Sequence, residues 1–403
     1  MKKKQKKWVR FRHRVIRNIA FLVLGAYVRL KYKVKINKFK DQGKRQYFVV
    51  MNHQTAVDQF LLGMTVKGPV YYVTSEDLFS NGWVSRLLRW AVAPIPIKKQ
   101  ATDTRAVLNC MRVAKEGGTI AVFPEGNRTY SGTTEYIKPA IVGLIKALKL
   151  PVAIMQIRGG YGAHPRWADK PRKGLITVGV TRVLEREEYE NLSDGELYEL
   201  LTKELFVDDC KTSGEYTGKG LAEYMERALY ICPRCGLSVL QSEKDIITCT
   251  KCSLTAKYLP NKQFESTDGA FVFRNTKEWY DYQSEFVRNL DLTAYYDKPL
   301  FIDKADIYEV ALYEKKRLMA EGVALSLFGN KIEAHTTTES FVLPFEKMRA
   351  VTVLGRNKLN LYHENTVYQV KGDKRFNALK FVQIFYRYKQ VTKGEEDGKF
   401  LGI

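Results

Sequence analysis

The chain has 403 residues, 45% of them hydrophobic and 27% charged, with 66 Lys and Arg against 44 Asp and Glu for a formal net charge of +22. This composition excludes a mainly disordered or collagen-like chain, and the length predicts two or three domains. No apolar run reaches the roughly 20 residues a spanning helix needs, and six cysteines are too few for a secreted disulfide scaffold.

Residues 1–40 hold ten Lys, five Arg and no acidic residue, so +15 of the charge lies at the N-terminus. Such an arm suits nucleic acid or an anionic membrane. Its apolar residues decide: Trp8, Phe11, Val15, Ile16 and Ile19 interleave with Arg10, Arg12, Arg14 and Arg17, and 19–28 carries no charge. As a helix that run spans about 15 Å, half the hydrocarbon core of a bilayer. No small-residue cleavage site follows, as a signal peptide requires. The pattern predicts a helix lying in an anionic membrane interface, against the plainer reading of a core helix with a solvated basic tail.

From 46 to about 205, β-rich runs at 47–51, 70–74, 95–98, 119–123, 152–157 and 175–180 alternate with helical spacing at 57–66, 83–91, 105–115 and 140–148. This βαβ alternation predicts a mostly parallel sheet covered by helices, with ligands at the carboxyl edge of the strands. Two polar loops begin at such ends. In the first, Asn52 to Asp58, a His leaving a strand and an Asp starting a helix can place a carboxylate on one imidazole nitrogen, leaving the other to take a proton from an alcohol. A second His-x4-Asp, His164 to Asp169, lies in a Gly/Pro-rich loop and is read as coincidence. In the second loop, Phe123 to Thr129, Pro124 and Gly126 force a turn that presents Glu125 and Arg128; alone, it is equally a phosphate site or a surface ion pair.

Together these loops resemble the glycerolipid acyltransferase family, particularly the lysophosphatidic acid acyltransferases. Asn52–Asp58 is similar to its Asn-His-x4-Asp block, Ala93–Lys99 to its second block, Phe123–Thr129 to its Phe-Pro-Glu-Gly-Thr-Arg-Ser block, and Leu150–Ile154 to its proline-centred hydrophobic block. Lys99 stands where the second block normally has Arg, and Asn127 where the third has Thr. The resemblance implies that His53 is general base on an acceptor hydroxyl and that Asp58 holds its tautomer. It implies that Arg128, Lys99 and the Glu125-Gly126 backbone hold the acceptor's phosphate, and that the donor is an acyl-CoA or acyl carrier protein thioester.

Beyond Asp209 the alternation stops, and 221–230 reads as a short helix. Cys232-x2-Cys235 and Cys249-x2-Cys252, thirteen residues apart, have the spacing of a four-thiolate structural zinc ribbon. Cys110 and Cys210 have no such spacing. From 267 onward the pattern is antiparallel β: 323–328 and 331–335 flank the hairpin turn Gly329-Asn330, followed by strands at 351–354, 359–362 and 367–370 and a helix over 376–388. Hairpins closed by a terminal helix resemble a pleckstrin-homology-like split barrel in architecture, with a headgroup contact, a protein contact and a scaffold role all open. His335 and His363 read as ordinary strand residues.

The expected organisation is a basic amphipathic membrane-binding arm over 1–40 and an α/β acyltransferase domain over 41–207. A helix with a four-cysteine zinc ribbon over 208–262 and an antiparallel β domain closed by a helix over 263–403 follow. The expected function is transfer of an acyl group to the sn-2 hydroxyl of lysophosphatidic acid, making phosphatidate at the cytoplasmic face of the cell membrane. Glycerol 3-phosphate or another lysophospholipid as acceptor, and an inactive membrane-docked adaptor, are the alternatives. Nucleic acid is not an expected partner, because the ribbon lacks basic residues interleaved with aromatics.

Overall fold

The computed structural model describes residues 7–40, 45–75, 79, 82–97, 103–267, 269–310, 316–335 and 340–394. The chain forms two compact units, Met1–Pro165 with Pro171–Tyr216, and Arg166–Lys170 with Thr217–Ile403.

The first unit runs α1 (Phe11–Lys31), β1 (Lys33–Asn37), β2 (Phe48–Met51), α2 (Asp58–Thr65), β3 (Val70–Ser75), α3 (Gly82–Ala91), β4 (Ile95–Ile97), α4 (Thr104–Lys115) and β5 (Thr119–Val122). It continues with α5 (Ala140–Leu148), β6 (Val152–Arg158), α6 (Gly160–Ala163), β7 (Leu175–Leu184), α7 (Arg186–Tyr189) and α8 (Asp194–Leu205). The sheet order is β1-β7-β6-β2-β5-β3-β4, and every neighbouring pair is parallel except β6 with β7. The central strands are buried on both faces, as their unbroken apolar runs require. Phe48, Val50, Ile120, Val152 and Ile154 face a core shared with α4, α5 and α8. The alternate residues Val49, Met51, Ala121, Ala153 and Met155 face a second core with Val28 of α1 and Leu61 and Leu62 of α2.

The N-terminal segment departs from a free-standing arm. His13, Gly25 and Val28 of α1 are buried, and Arg17 donates to the carbonyls of Gly63 and Val66 at 2.9 Å each, neutralising the C-terminal end of α2. Gly63 lets Phe21 of α1 pack closely on α2, because a Cβ there would lie 2.4 Å from the Phe21 ring. Residues 33–37 are a strand of the first unit's sheet, paired with β7 from Lys33 to Asn37. Lys33 and Lys35 are exposed on one side while Val34 and Ile36 pack inward, so the lysines concealed a period-2 pattern. Residues 33–37 thus belong to the sheet of the first unit.

The second unit contains β8 (Ile231–Cys232), β9 (Gly236–Leu237), β10 (Leu240–Glu243), β11 (Ile246–Cys249), β12 (Thr255–Tyr258), β13 (Phe264–Ser266) and α9 (Thr276–Arg288). Then come β14 (Phe301–Val310), β15 (Arg317–Leu327), β16 (Lys331–His335), β17 (Ser340–Pro344), β18 (Met348–Leu354), β19 (Lys358–His363), β20 (Thr366–Gly372) and α10 (Leu379–Lys393). Strands β14 to β20 make a seven-stranded antiparallel sheet, order β17-β16-β15-β14-β20-β19-β18, with α10 against β18. The turn at Gly329-Asn330 forms as expected, with Phe328 N–H on the Lys331 carbonyl at 3.0 Å. The terminal helix begins three residues later than expected, where the Asn377 side chain accepts from the backbone of Lys380 at 2.9 Å.

The expected helix over 221–230 is instead a set of turns around a 3-10 segment, Met225–Arg227. Its backbone donors are drawn elsewhere: Leu221 to Asp245, Ala222 to the Lys244 carbonyl, and Tyr224 to Ser242. Nor is residue 262 a boundary. β13 completes the sheet of β10 to β12, and the buried amides Gln283 of α9 and Gln383 of α10 bond to each other and to Tyr230. Arg166–Lys170 belong to this unit as well. Trp167 stacks edge-on to Tyr258, and Asp169 pairs with the buried Arg227 at 2.7 Å and with Arg356 at 3.0 Å.

Candidate functional site

Strands β6, β2 and β5 are consecutive and parallel, so their carboxyl ends open three loops side by side. The loop after β2 is bound to the end of β6 by the Asn52 amide, which accepts from Ile157 N–H at 2.8 Å and donates to the Ile157 carbonyl at 3.0 Å. The Gln54 side-chain oxygen Oε1 accepts from Gly160 N–H at 2.9 Å.

Within the first loop, His53 Nδ1 meets Asp58 Oδ2 at 2.8 Å. Asp58 is fully buried and also accepts the N–H groups of Gln54 (2.6 Å) and Thr55 (2.9 Å) and the Thr55 hydroxyl. With both oxygens engaged, the carboxylate has one orientation, and it holds the imidazole in the tautomer with hydrogen on Nδ1. The ring of His53 stacks on Phe123, centroids 4.3 Å apart, and its side chain is 19% exposed.

The loop after β5 reaches the first through Glu125, whose Oε1 accepts from His53 N–H at 2.6 Å and whose Oε2 accepts from Glu135 N–H at 2.7 Å. Thr129 N–H closes the contact on the His53 carbonyl at 3.0 Å. The Glu125 side chain is therefore a strut between loops. Gly126, exposed and at φ +65°, makes the turn that follows, and Arg128 is half-buried in the same loop. Lys99 lies outside the described residues. His164 and Asp169 separate as coincidence predicts: His164 bonds to the Tyr32 hydroxyl at 2.7 Å in the first unit, and Asp169 serves the second.

Asp209 was not legible as a site-building residue. Fully buried, it accepts from Gly159 N–H (2.7 Å) and Tyr161 N–H (3.0 Å), holding the third loop from some fifty residues away in sequence. Glu135, which gathers Thr129, Tyr130 and Ser131, was missed similarly. No local pattern marks either one.

In the second unit, the four sulfurs of Cys232, Cys235, Cys249 and Cys252 all lie within 4.8 Å of one another, with Cys232–Cys252 and Cys235–Cys249 at 3.5 Å. Four thiolates on one tetrahedral ion at 2.3 Å stand about 3.8 Å apart, so the cluster fits a metal. Burial opposes the Cys249 thiolate, but the Ser238 hydroxyl and the N–H groups of Cys252 and Lys251 outweigh it and bring the thiol down to about 6. Cys110 is the opposite case, pushed up to about 12 by burial.

Residues 30–157 match the family model described as Acyltransferase. A Bacillus subtilis (strain 168) protein named 1-acyl-sn-glycerol-3-phosphate acyltransferase is 21% identical over 184 residues, 45% of this chain and 89% of that protein. A Saccharomyces cerevisiae protein of the same name is 25% identical over 193 residues, 45% of this chain and 61% of that protein. Among solved structures, the Thermotoga maritima 1-acyl-sn-glycerophosphate acyltransferase PlsC superposes with a TM-score of 0.39 at 23% identity, covering 48% of this chain and 77% of that one. The match to an acyltransferase family thus falls within the first unit, and these similarities support an O-acyltransferase.

Burial, followed by the charges of Glu135 and Asp58, drives the Glu125 carboxyl well above the usual range despite its two N–H donors. A carboxyl whose folded pKa is raised adds stability that is complete below its unfolded value, about 4.3, and is lost as pH rises through the raised value. Glu125→Gln presents an amide NH2 to one of the two N–H donors. Urea denaturation across pH should show a less stable variant in which this part of the pH slope is gone.

Proposed function

We propose that this protein transfers a fatty acyl group from an acyl-CoA or acyl carrier protein thioester to the sn-2 hydroxyl of lysophosphatidic acid, making phosphatidate. The observation that carries the reading is the 2.8 Å bond between His53 Nδ1 and the buried Asp58 at the mouth of three parallel strands. His53 Nε2 takes the acceptor's hydroxyl proton as the oxygen attacks the thioester carbonyl. Collapse of the adduct breaks the carbon–sulfur bond, and His53 returns the proton to the leaving thiolate. Asp58 stabilises the imidazolium between the two transfers, with His53 held in place by Glu125 and Phe123. Arg128 supplies a bidentate cation for the acceptor's phosphate, with the Glu125-Gly126 backbone in the same loop, and Lys99 is proposed as a second cation for it. The names of the two relatives support this acceptor and leave the donor to be tested.

The proposed place of action is the cytoplasmic face of the cell membrane, reached as a peripheral or monotopic protein. No helix among the described residues is long and apolar enough to cross a membrane. Supporting the membrane reading, α1 keeps Phe11, Leu22, Val23 and Leu30 at least 69% exposed on one side, while His13, Gly25 and Val28 are buried on the other. Both substrates carry acyl chains, so a site close to the bilayer shortens their path from it.

The four cysteines are proposed to hold a structural zinc. Four protein thiolates close the coordination sphere, leaving no position for a substrate. The zinc would bring together the Cys232–Cys235 and Cys249–Cys252 knuckles. The antiparallel sheet with α10 is proposed as a pleckstrin-homology-like module, supported by its hairpins and terminal helix.

His53→Ala should lower acyl transfer by at least about a thousandfold, with unchanged melting temperature and vesicle binding; near wild-type turnover would refute the assignment. Arg128→Ala should raise KM for lysophosphatidate while sparing acceptors without a phosphate, in an assay with labelled acyl-CoA and a panel of acceptors. Metal analysis should find one zinc per chain, lost in Cys235→Ser together with a lower melting temperature.

A further inference from the structure

Helix α3 is amphipathic in the reverse sense for a helix packed in water. Trp83, Val84, Leu87 and Trp90 follow the i, i+1, i+4, i+7 spacing of one stripe. That stripe faces solvent, with Trp83 71%, Leu87 50% and Trp90 52% exposed. The one buried residue of the helix is Ser85. A surface with two tryptophans at least half exposed on one short helix marks an interaction site.

The surroundings indicate what covers it. α3 lies beside α1: Arg12 Nε donates to the Trp90 carbonyl at 3.1 Å, its guanidinium lies over the Trp90 ring at 5.1 Å, and Trp8 Nε1 donates to the Ala93 carbonyl at 2.9 Å. The C-terminal end of α3 therefore lies against the first turn of α1. The two helices contain seven Arg or Lys and no Asp or Glu. Arg86 and Arg89 are exposed next to the tryptophans. Exposed apolar side chains on two helices whose own charged residues are all cations complement an anionic lipid surface, where tryptophan occupies the headgroup level and arginine takes the phosphates.

We propose that α3 is a second membrane-docking element, which inserts Trp83, Leu87 and Trp90 at the headgroup–acyl boundary of an anionic leaflet beside α1. The proposal rests on the reading that α1 lies on the membrane, and it adds a consequence. A single interfacial helix leaves the protein free to roll about the helix axis, whereas two helices in contact with one surface fix its orientation.

The full-length protein is tested with vesicles of phosphatidylcholine containing about one third phosphatidylglycerol, and with phosphatidylcholine alone. Three proteins are compared: wild type, Trp83→Ser with Leu87→Asp in α3, and Leu22→Asp with Val23→Asp in α1. Co-sedimentation measures partition, and quenching by lipids brominated along the acyl chain measures insertion, with Trp83→Phe and Trp90→Phe assigning the signal. The α3 variant should partition about tenfold less to the anionic vesicles, with an unchanged melting temperature. Wild-type quenching should fall in both Phe variants. Wild-type binding with undiminished partition of the α3 variant and no quenching from Trp83 or Trp90 overturns the α3 proposal alone. Absence of vesicle binding by the wild type overturns both it and the α1 reading. A wild-type dimer that Leu87→Asp converts to monomer, without quenching in the dimer, assigns the face to a second copy and also overturns the proposal. If the α3 variant melts early, quenching of wild-type Trp83 and Trp90 decides the matter by itself.

Discussion

The parallel pairing of β2 with β5 on one side and β6 on the other is the constraint on which the catalytic unit depends. Three neighbouring strands pointing the same way must open their loops at one edge. The site is built from those loops, which lie about seventy and a hundred residues apart along the chain. The strands can be neighbours because both their faces are apolar and both are covered, one by α4, α5 and α8, the other by α1 and α2. A single charged residue facing either core would have no partner there.

Loops that meet at a sheet edge carry backbone donors that water no longer reaches, and this unit meets them with carboxylates and amides. Asp58, Glu125 and Asp209 each accept two backbone N–H groups, and Gln54 and Asn52 serve the end of β6. Asp58 also reaches the imidazole, since the oxygen that takes two N–H groups takes His53 Nδ1 as well. The raised pKa of Glu125 follows first from its burial, to which the charges of Glu135 and Asp58 add.

The second unit is organised differently, around local hairpins and a few long-range polar contacts. Its cysteine knuckles, β10 to β13 and the large antiparallel sheet are tied by Gln283, Gln383 and Tyr230 in the interior and by Arg375 on Glu223 and Glu226. Asp169, drawn from between β6 and β7 of the first unit's sequence, completes this set with Arg227 and Arg356. A compact unit that borrows five residues from the middle of another domain's sequence is invisible to any reading that cuts the chain into consecutive segments.

What the sequence by itself determined are the features whose information is local. The His53 and Asp58 pairing lies within six residues, the four cysteines within twenty-one, and the hairpin at Gly329-Asn330 within two, so short-range geometry limits what each can become. The central strands of the first sheet were equally legible, because a run buried on both faces has to be continuously apolar. Tertiary structure alone decided the rest. It made Lys33–Asn37 an edge strand despite its charge, turned 221–230 into tight turns by diverting the backbone donors of Leu221, Ala222 and Tyr224, and recruited Asp209 and Glu135 to the site. It also turned the tryptophans of α3 outward, for their spacing fixes that they share a face but not which way it points. In each case the partner lies elsewhere along the chain, and periodicity reports only a residue's own neighbours.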